Sequence, residues 1–235
     1  MPAYLAPFLS ISAVLITLAV AALTLAARAA ATAPSGRHHF AAPFLILGLA
    51  VWLVAAFGLG MAGTYVAAPG AIPTIEFGIL MPLVVAVSAY LISPGIRQLV
   101  RSAPQKWLIA VQLYRTGGAV FLALWSAGLL PGIFAWPAAA GDILVGLLAL
   151  LVGLTHARFN RRRVLWWNIL GLCDLALALT LGFITTPSRF QLLALDAPST
   201  LVTQYPLVLI PTFVVPLSIL LHLASLVRLS AERRA

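Results

Sequence analysis

The chain has little charge, little acid and almost no cysteine. Only 8% of its 235 residues are charged, against roughly 25% in ordinary soluble domains, so a water-facing surface cannot be built from it. Asp and Glu number five, and the single cysteine, Cys173, excludes an intramolecular disulfide and any C-x-x-C redox or zinc motif. Cys173 lies in an apolar run, where core packing is its expected role. No H-E-x-x-H, phosphate-binding glycine loop, G-x-S-x-G elbow or repeated acidic diphosphate-binding motif occurs. Protease, nucleotide-driven, hydrolase and prenyl-transfer chemistries therefore lack their signatures.

What is abundant is apolar: 63% of the residues are hydrophobic and the mean hydropathy is +1.08. Seven hydrophobic runs, near residues 4–27, 41–66, 75–95, 106–130, 136–156, 164–186 and 203–227, are each long enough to span a bilayer as a helix. The expected fold is all-α, a polytopic membrane protein whose seven transmembrane helices form a single domain over residues 1–235. Breaks fall at Ala33-Pro34-Ser35-Gly36, Pro69-Gly70, Pro94-Gly95, Pro131-Gly132, Arg161-Arg162-Arg163 and the polar stretch from Thr185 to Thr203.

The formal charge of +9 would point to nucleic acid only with a basic face on a soluble domain, so no nucleic-acid partner is expected. The basic residues sit at helix ends instead. Arg28 and Arg37 follow span 1; Arg97, Arg101 and Lys106 lie between spans 3 and 4. Arg158 and Arg161 to Arg163 lie between spans 5 and 6, and Arg228, Arg233 and Arg234 end span 7. Twelve of the fourteen thus share one side. The positive-inside rule then places the amino terminus outside and the carboxyl terminus in the cytoplasm. A cleaved signal peptide over residues 1–30 fits less well, because it lacks a positive n-region and has too long an apolar stretch. Thirteen Arg to one Lys, with many Ala, Leu and Gly, point to a high-GC bacterium and its inner membrane.

Chemistry must reside in the polar groups that bilayer depth makes expensive, since a charge at a helix centre costs about 2.5–3.5 kcal/mol on insertion scales. On span 4, Arg115 lies roughly 13 Å in from Lys106, and on span 6 Asp174 lies about 15 Å in from the basic start. Gln112, Arg115 and Gly118 share one face of span 4; Asn168, Gly171 and Asp174 follow at three-residue steps on span 6. His222 lies about 9 Å from the basic end of span 7. These define an expected polar layer among spans 4, 6 and 7: Gln112, Arg115, Asn168, Asp174 and His222. The glycine at 171 would let a ligand or backbone approach. The alternative is an Arg115–Asp174 pair that only fixes helix register.

A shallower group is expected at the opposite end: Glu76, Asp142 and Tyr205. Asp142 follows the stretch from Pro131 to Pro137, which reads as a segment able to break or re-enter. Span 7 carries Pro206, Pro211 and Pro216, each removing a backbone donor, so a kink beside a cavity is expected, with Thr212 and Ser218 near to bond the freed carbonyls. Trp107, Trp136, Trp166 and Trp167 fall at helix ends, where an interfacial aromatic belt accounts for them.

The reading that follows is a small multi-pass membrane protein binding or transporting a small solute, proton or ion through the polar layer. Its alternatives are an assembly or sensory subunit with a protein partner, or a membrane enzyme acting on a lipid or quinone. The topology matches that of rhodopsins, but span 7 has no lysine for a retinal Schiff base. Haem would require ligands such as His156 and His222, which differ in depth by about 9 Å; His38 and His39 lie near a loop. Catalytic residues and cofactor are left unassigned, no metal is expected, and an enzyme is the less favoured class.

Overall fold

A computed structural model describes residues 2–31, 40–154 and 160–231 of the chain. The described residues are helical with no strand, and seven helices are long and apolar enough to cross a membrane. They are Leu5–Ala30, Ala41–Met61, Ile75–Ile92, Gln105–Ser126, Gly132–Gly153, Arg161–Thr185 and Ile210–Ala231, called here spans 1 to 7. Arg37, His38, His39, His156, Arg158, Arg233 and Arg234 lie outside the described residues.

Between spans 3 and 4 the basic stretch is a short helix, Pro94–Ser102, where the sequence reading placed only a loop. Ser93 caps it by accepting from the Ile96 N–H at 3.3 Å, and Pro94 takes the first-turn position where a missing N–H costs nothing. Gly95, Ile96 and Leu99 are buried and Arg101 points outward, as in a helix lying along a bundle end. Arg97 donates back to the carbonyls of Tyr90 and Leu91, satisfying the open end of span 3.

Span 4 is α-helical at both ends, but its middle, Val111–Ala119, winds as a 3-10 helix. At three residues per turn, side chains three apart eclipse. Gln112, Arg115 and Gly118 therefore stack in one line, and all three are buried. The larger rise also carries Arg115 to about 16 Å from Lys106, deeper than α-helical winding would. Span 5 approaches closely here: a Cβ on Gly146 would lie 2.9 Å from the Thr116 amide nitrogen.

Span 5 begins at Gly132 and runs through Pro137 without a break, so the stretch from Pro131 to Pro137 neither breaks nor re-enters. Pro137, the sixth residue of the helix, removes one ladder hydrogen bond, the one its amide would make to the Ile133 carbonyl, and the helix runs on through it. Span 7 begins later than the apolar run, at Ile210, after Pro206 interrupts it; residues Ile210–Val214, with Pro211 in their first turn, form a π-helical turn before the α-helix from Val215. Pro216 leaves the Thr212 carbonyl without its α-helical donor, and the Trp52 indole of span 2 donates to it at 3.0 Å. The Thr212 and Ser218 hydroxyls donate to the carbonyls four residues back, Val208 and Val214, at 2.7 and 2.9 Å. Trp52 also packs on Phe213, with ring centroids 4.8 Å apart.

Trp107, Trp136 and Trp166 face outward at span ends. Trp167 does not belong with them: it is buried, and its indole donates to the Val145 carbonyl at 3.1 Å. Cys173 is exposed on the outer face of span 6, not packed in the core, because the neighbouring Asp174 takes the inward position and successive helical residues diverge by about 100°.

Candidate functional site

At the centre of spans 4 to 7 the Arg115 guanidinium is buried and every one of its nitrogens is engaged. Nε donates to Asp142 Oδ1 at 2.8 Å, Nη2 donates to Asp174 Oδ2, and Nη1 meets His222 Nε2 at 3.1 Å. Arginine has no acceptor, so His222 Nε2 must accept and the imidazole hydrogen sits on Nδ1. That hydrogen goes to Asn168 Oδ1 at 3.0 Å, while Asn168 Nδ2 donates to the Val164 carbonyl and to Ser225 Oγ. The two ends of the Asn168 amide thereby fix the tautomer of His222. Ser225 also accepts from Gln105 Nε2 at 2.5 Å, so a continuous chain of polar contacts runs from Asp142 through Arg115, His222, Asn168 and Ser225 to Gln105 at the start of span 4.

Three glycines make this arrangement fit. A Cβ on Gly118 of span 4 would lie 2.6 Å from Asp142 Cβ. One on Gly141 of span 5 would overlap Asp174 Oδ1, and one on Gly171 of span 6 would overlap the His222 ring. Each polar side chain is seated over a glycine of the preceding span. Gly171 thus makes room for the bundle's own histidine, not for a ligand or a backbone. Trp167 closes the other side of the imidazole, its ring centroid 4.7 Å away.

The expected layer is assembled with one addition and one looser member. Asp142, expected in a shallower group, is a direct partner of Arg115. Starting span 5 at Gly132 instead of residue 136 carries Asp142 about 6 Å further in, to a depth of about 15 Å. Gln112 lies on the Arg115 face but bonds the Ser218 carbonyl at 3.3 Å, and its Oε1 is buried without a partner. Beside it Tyr114 donates to Ser218 Oγ at 2.8 Å, the Ser218 hydrogen being committed to Val214.

Of the shallower group, Glu76 lines a cavity of about 370 Å³ whose wall also includes Asp142. Its two carboxylate oxygens are buried and have no hydrogen-bond partner. Tyr205 is not among the cavity's lining residues; its hydroxyl bonds Ser10 at 3.0 Å and its ring lies near Phe57. No group of three His, Cys, Asp or Glu able to hold a metal ion occurs among the described residues.

Sequence reasoning missed Ser225, Gln105, Trp167 and Tyr114. The spacing of Ser218, His222 and Ser225 carries a signal, because positions i, i+4 and i+7 share a helical face. Gln105 and Trp167 carry none beyond their type.

A family model described as a domain of unknown function (DUF8737) matches residues 72–230, well over half of the chain, and the chain belongs to that family. The matched stretch contains spans 3 to 6, all of span 7 but its last residue, and every residue of the Arg115 network. No curated protein and no solved structure matches the chain.

Proposed function

We propose that the chain is a membrane protein that binds or moves a small solute, proton or ion through the polar layer among spans 4, 6 and 7, with Asp142 of span 5 as a further member. The observation that carries this reading is the charge count at Arg115: one buried guanidinium faces two carboxylates, whose side chains are 17% and 7% exposed. A pair that only fixed register would need a single partner. The second carboxylate is costly at bilayer depth unless a proton or cation joins it. Arg115 serves as counter-charge, Asp174 and Asp142 as its exchangeable partners, and Asn168, His222 and Gln112 as hydrogen-bonding groups. The π-helical turn and prolines of span 7 supply a hinge.

All spans belong to one domain in the inner membrane of a bacterium, oriented with the amino terminus outside and the carboxyl terminus in the cytoplasm. Among the described basic residues, Arg28, Arg97, Arg101, Lys106, Arg161 to Arg163 and Arg228 fall at alternate ends of successive spans, which supports that orientation.

The test is flux in proteoliposomes that enclose a pH-sensitive dye, under imposed pH gradients and potentials and with candidate solutes added outside. The wild-type protein is expected to move protons, alone or with a solute, at least tenfold faster than Arg115→Leu or Asp174→Asn. Equal flux in all three, with the variants folded, rejects the assigned roles.

One observation favours a second reading, an assembly or sensory subunit with a structural ion network. Arg115, His222 and Asn168 do not line the cavity that Glu76 and Asp142 share, and His222 is closed in between Gly171 and Trp167. This reading gives no flux above empty vesicles and a partner that co-purifies, with loss of that association on mutation of an outward helix face.

A further inference from the structure

The cavity beside Asp142 lies between spans 3 to 7 at the end away from the basic residues, and its wall is almost wholly hydrocarbon: Ile79, Phe121, Phe134, Ala138, Leu175 and Ala178 are representative. Two acidic side chains stand in this lining, Glu76 and Asp142. Asp142 is held by Arg115. Glu76 is held by nothing: each of its carboxylate oxygens exposes less than 1 Å² and neither has a hydrogen-bond partner. A buried carboxylate without a partner forfeits the hydration it would have in water, at a cost well above that of an unpaired neutral group. The network next to it offers no relief, because all three Arg115 nitrogens are taken and the local count is three carboxyl groups to one guanidinium.

The volume, near the lower end of what small-molecule sites enclose, admits a body the size of a fused bicyclic ring or a short alkyl chain. Span 3, which brings Glu76, has no buried residue and packs mainly on span 7 and the Pro94–Ser102 helix, leaving span 6 as the opposite wall.

We infer that this cavity is a binding site for an apolar molecule carrying a protonated amine, whose ammonium group pairs with Glu76 while its hydrocarbon body fills the space up to Asp142. The inference rests on Asp142 belonging to a ligand pathway and names the ligand class of that pathway. An ammonium supplies the three donors and the positive charge that the Glu76 carboxylate lacks. An uncharged molecule of the same shape supplies neither, and an anion is repelled by both acids.

The probes are 1-naphthylmethylammonium and its neutral counterpart 1-naphthylmethanol, titrated calorimetrically at neutral pH into the full-length protein in detergent micelles, with empty micelles subtracted. The ammonium is expected to bind saturably and at least tenfold more tightly than the alcohol. Glu76→Gln is expected to abolish that preference while leaving alcohol binding in place. Ala178→Leu fills the cavity without touching either acid and is expected to weaken both probes at least tenfold, which keeps the test open if the Glu76 variant does not fold. Equal affinity of the two probes, ammonium binding unchanged by Glu76→Gln, ammonium binding unchanged by Ala178→Leu, or no saturable binding to the wild type would each overturn the inference. Any of these results alongside flux that depends on Arg115 and Asp174 leaves the polar-layer reading standing, with a proton alone meeting the charge. Binding as expected with flux that ignores Arg115 removes that reading and keeps the cavity site.

Discussion

Spans 1 to 3 are the more apolar, with mean hydropathies of 2.1 to 2.4 against 1.4 to 2.0 for spans 4 to 7, and the two groups are built on different physics. Of the most apolar stretch of span 3 none is buried, and of span 2 17%; for span 7 the share is 50% and for span 4 44%. The first three helices turn most of their surface outward and meet the rest at a few points, such as Trp52 on the Thr212 carbonyl. The last four enclose a guanidinium, two carboxylates, an imidazole and an amide over three glycines. Apolar side chains gain nothing by leaving lipid for a protein interior, so helices bind one another through close packing and polar contacts. The glycines and charges of spans 4 to 7 provide both.

The largest break in that contrast comes from removing the shared cation. Arg115→Leu leaves Asp142 and Asp174 facing each other in a dry site, and loss of one member of a buried ion network costs about 3–5 kcal/mol. Val54→Ala on span 2, where the side chain is 71% exposed, is expected to change stability by less than about 0.5 kcal/mol. Unfolding of both variants in mixed micelles, followed by tryptophan fluorescence, measures the difference. A loss below about 1 kcal/mol for Arg115→Leu would show that the network adds little to the hold of spans 4 to 7 on one another.

How much of this was readable in the chain differs between the same two regions. The seven runs are visible from hydropathy alone, since a helix facing lipid needs only length and apolarity. Arg115, Asp174, Asn168 and His222 were also legible as one layer, because charge at bilayer depth is rare enough to be conspicuous and depth follows from helical rise. The place of Asp142 was not, because it depends on where span 5 starts, and Pro137 obscured a helix that begins at Gly132. Nor were the glycine seats. Gly118 is legible as sharing the Arg115 face and Gly171 as a point of close approach, but what each receives is not, because the partner side chain lies on another span; Gly141 carries no mark of its own. The 3-10 winding of span 4, which lies beside the close approach at Gly146, has no mark in the hydropathy pattern.

A middle-sized effect sharpens the comparison by using one substitution in both regions. Gly141→Ala and Gly171→Ala insert a methyl group where Asp174 and the His222 ring already are; overpacking of this kind costs typically about 1–3 kcal/mol. Gly48→Ala and Gly58→Ala on span 2 meet nothing within 4 Å and are expected to be neutral or slightly stabilising. The ordering of the four midpoints in a single thermal series decides the matter. If the two pairs overlap, the glycines of spans 5 and 6 are not seats and the fit of the polar side chains has another cause.

The smallest effect is expected at Cys173, one residue from Asp174 in sequence and on the opposite side of the helix in function. Its side chain is exposed on the outer surface of span 6, so Cys173→Ala removes no core packing and is expected to shift stability by less than about 0.5 kcal/mol. A nitroxide attached there reports what surrounds that face. Molecular oxygen partitions into hydrocarbon and water-soluble nickel chelates do not, so in a bilayer the label is expected to relax with oxygen and ignore the chelate. Access to the chelate would put water, not lipid, against the outer face of span 6, and the division between an outward apolar surface and an inward polar layer would fail one residue from its centre.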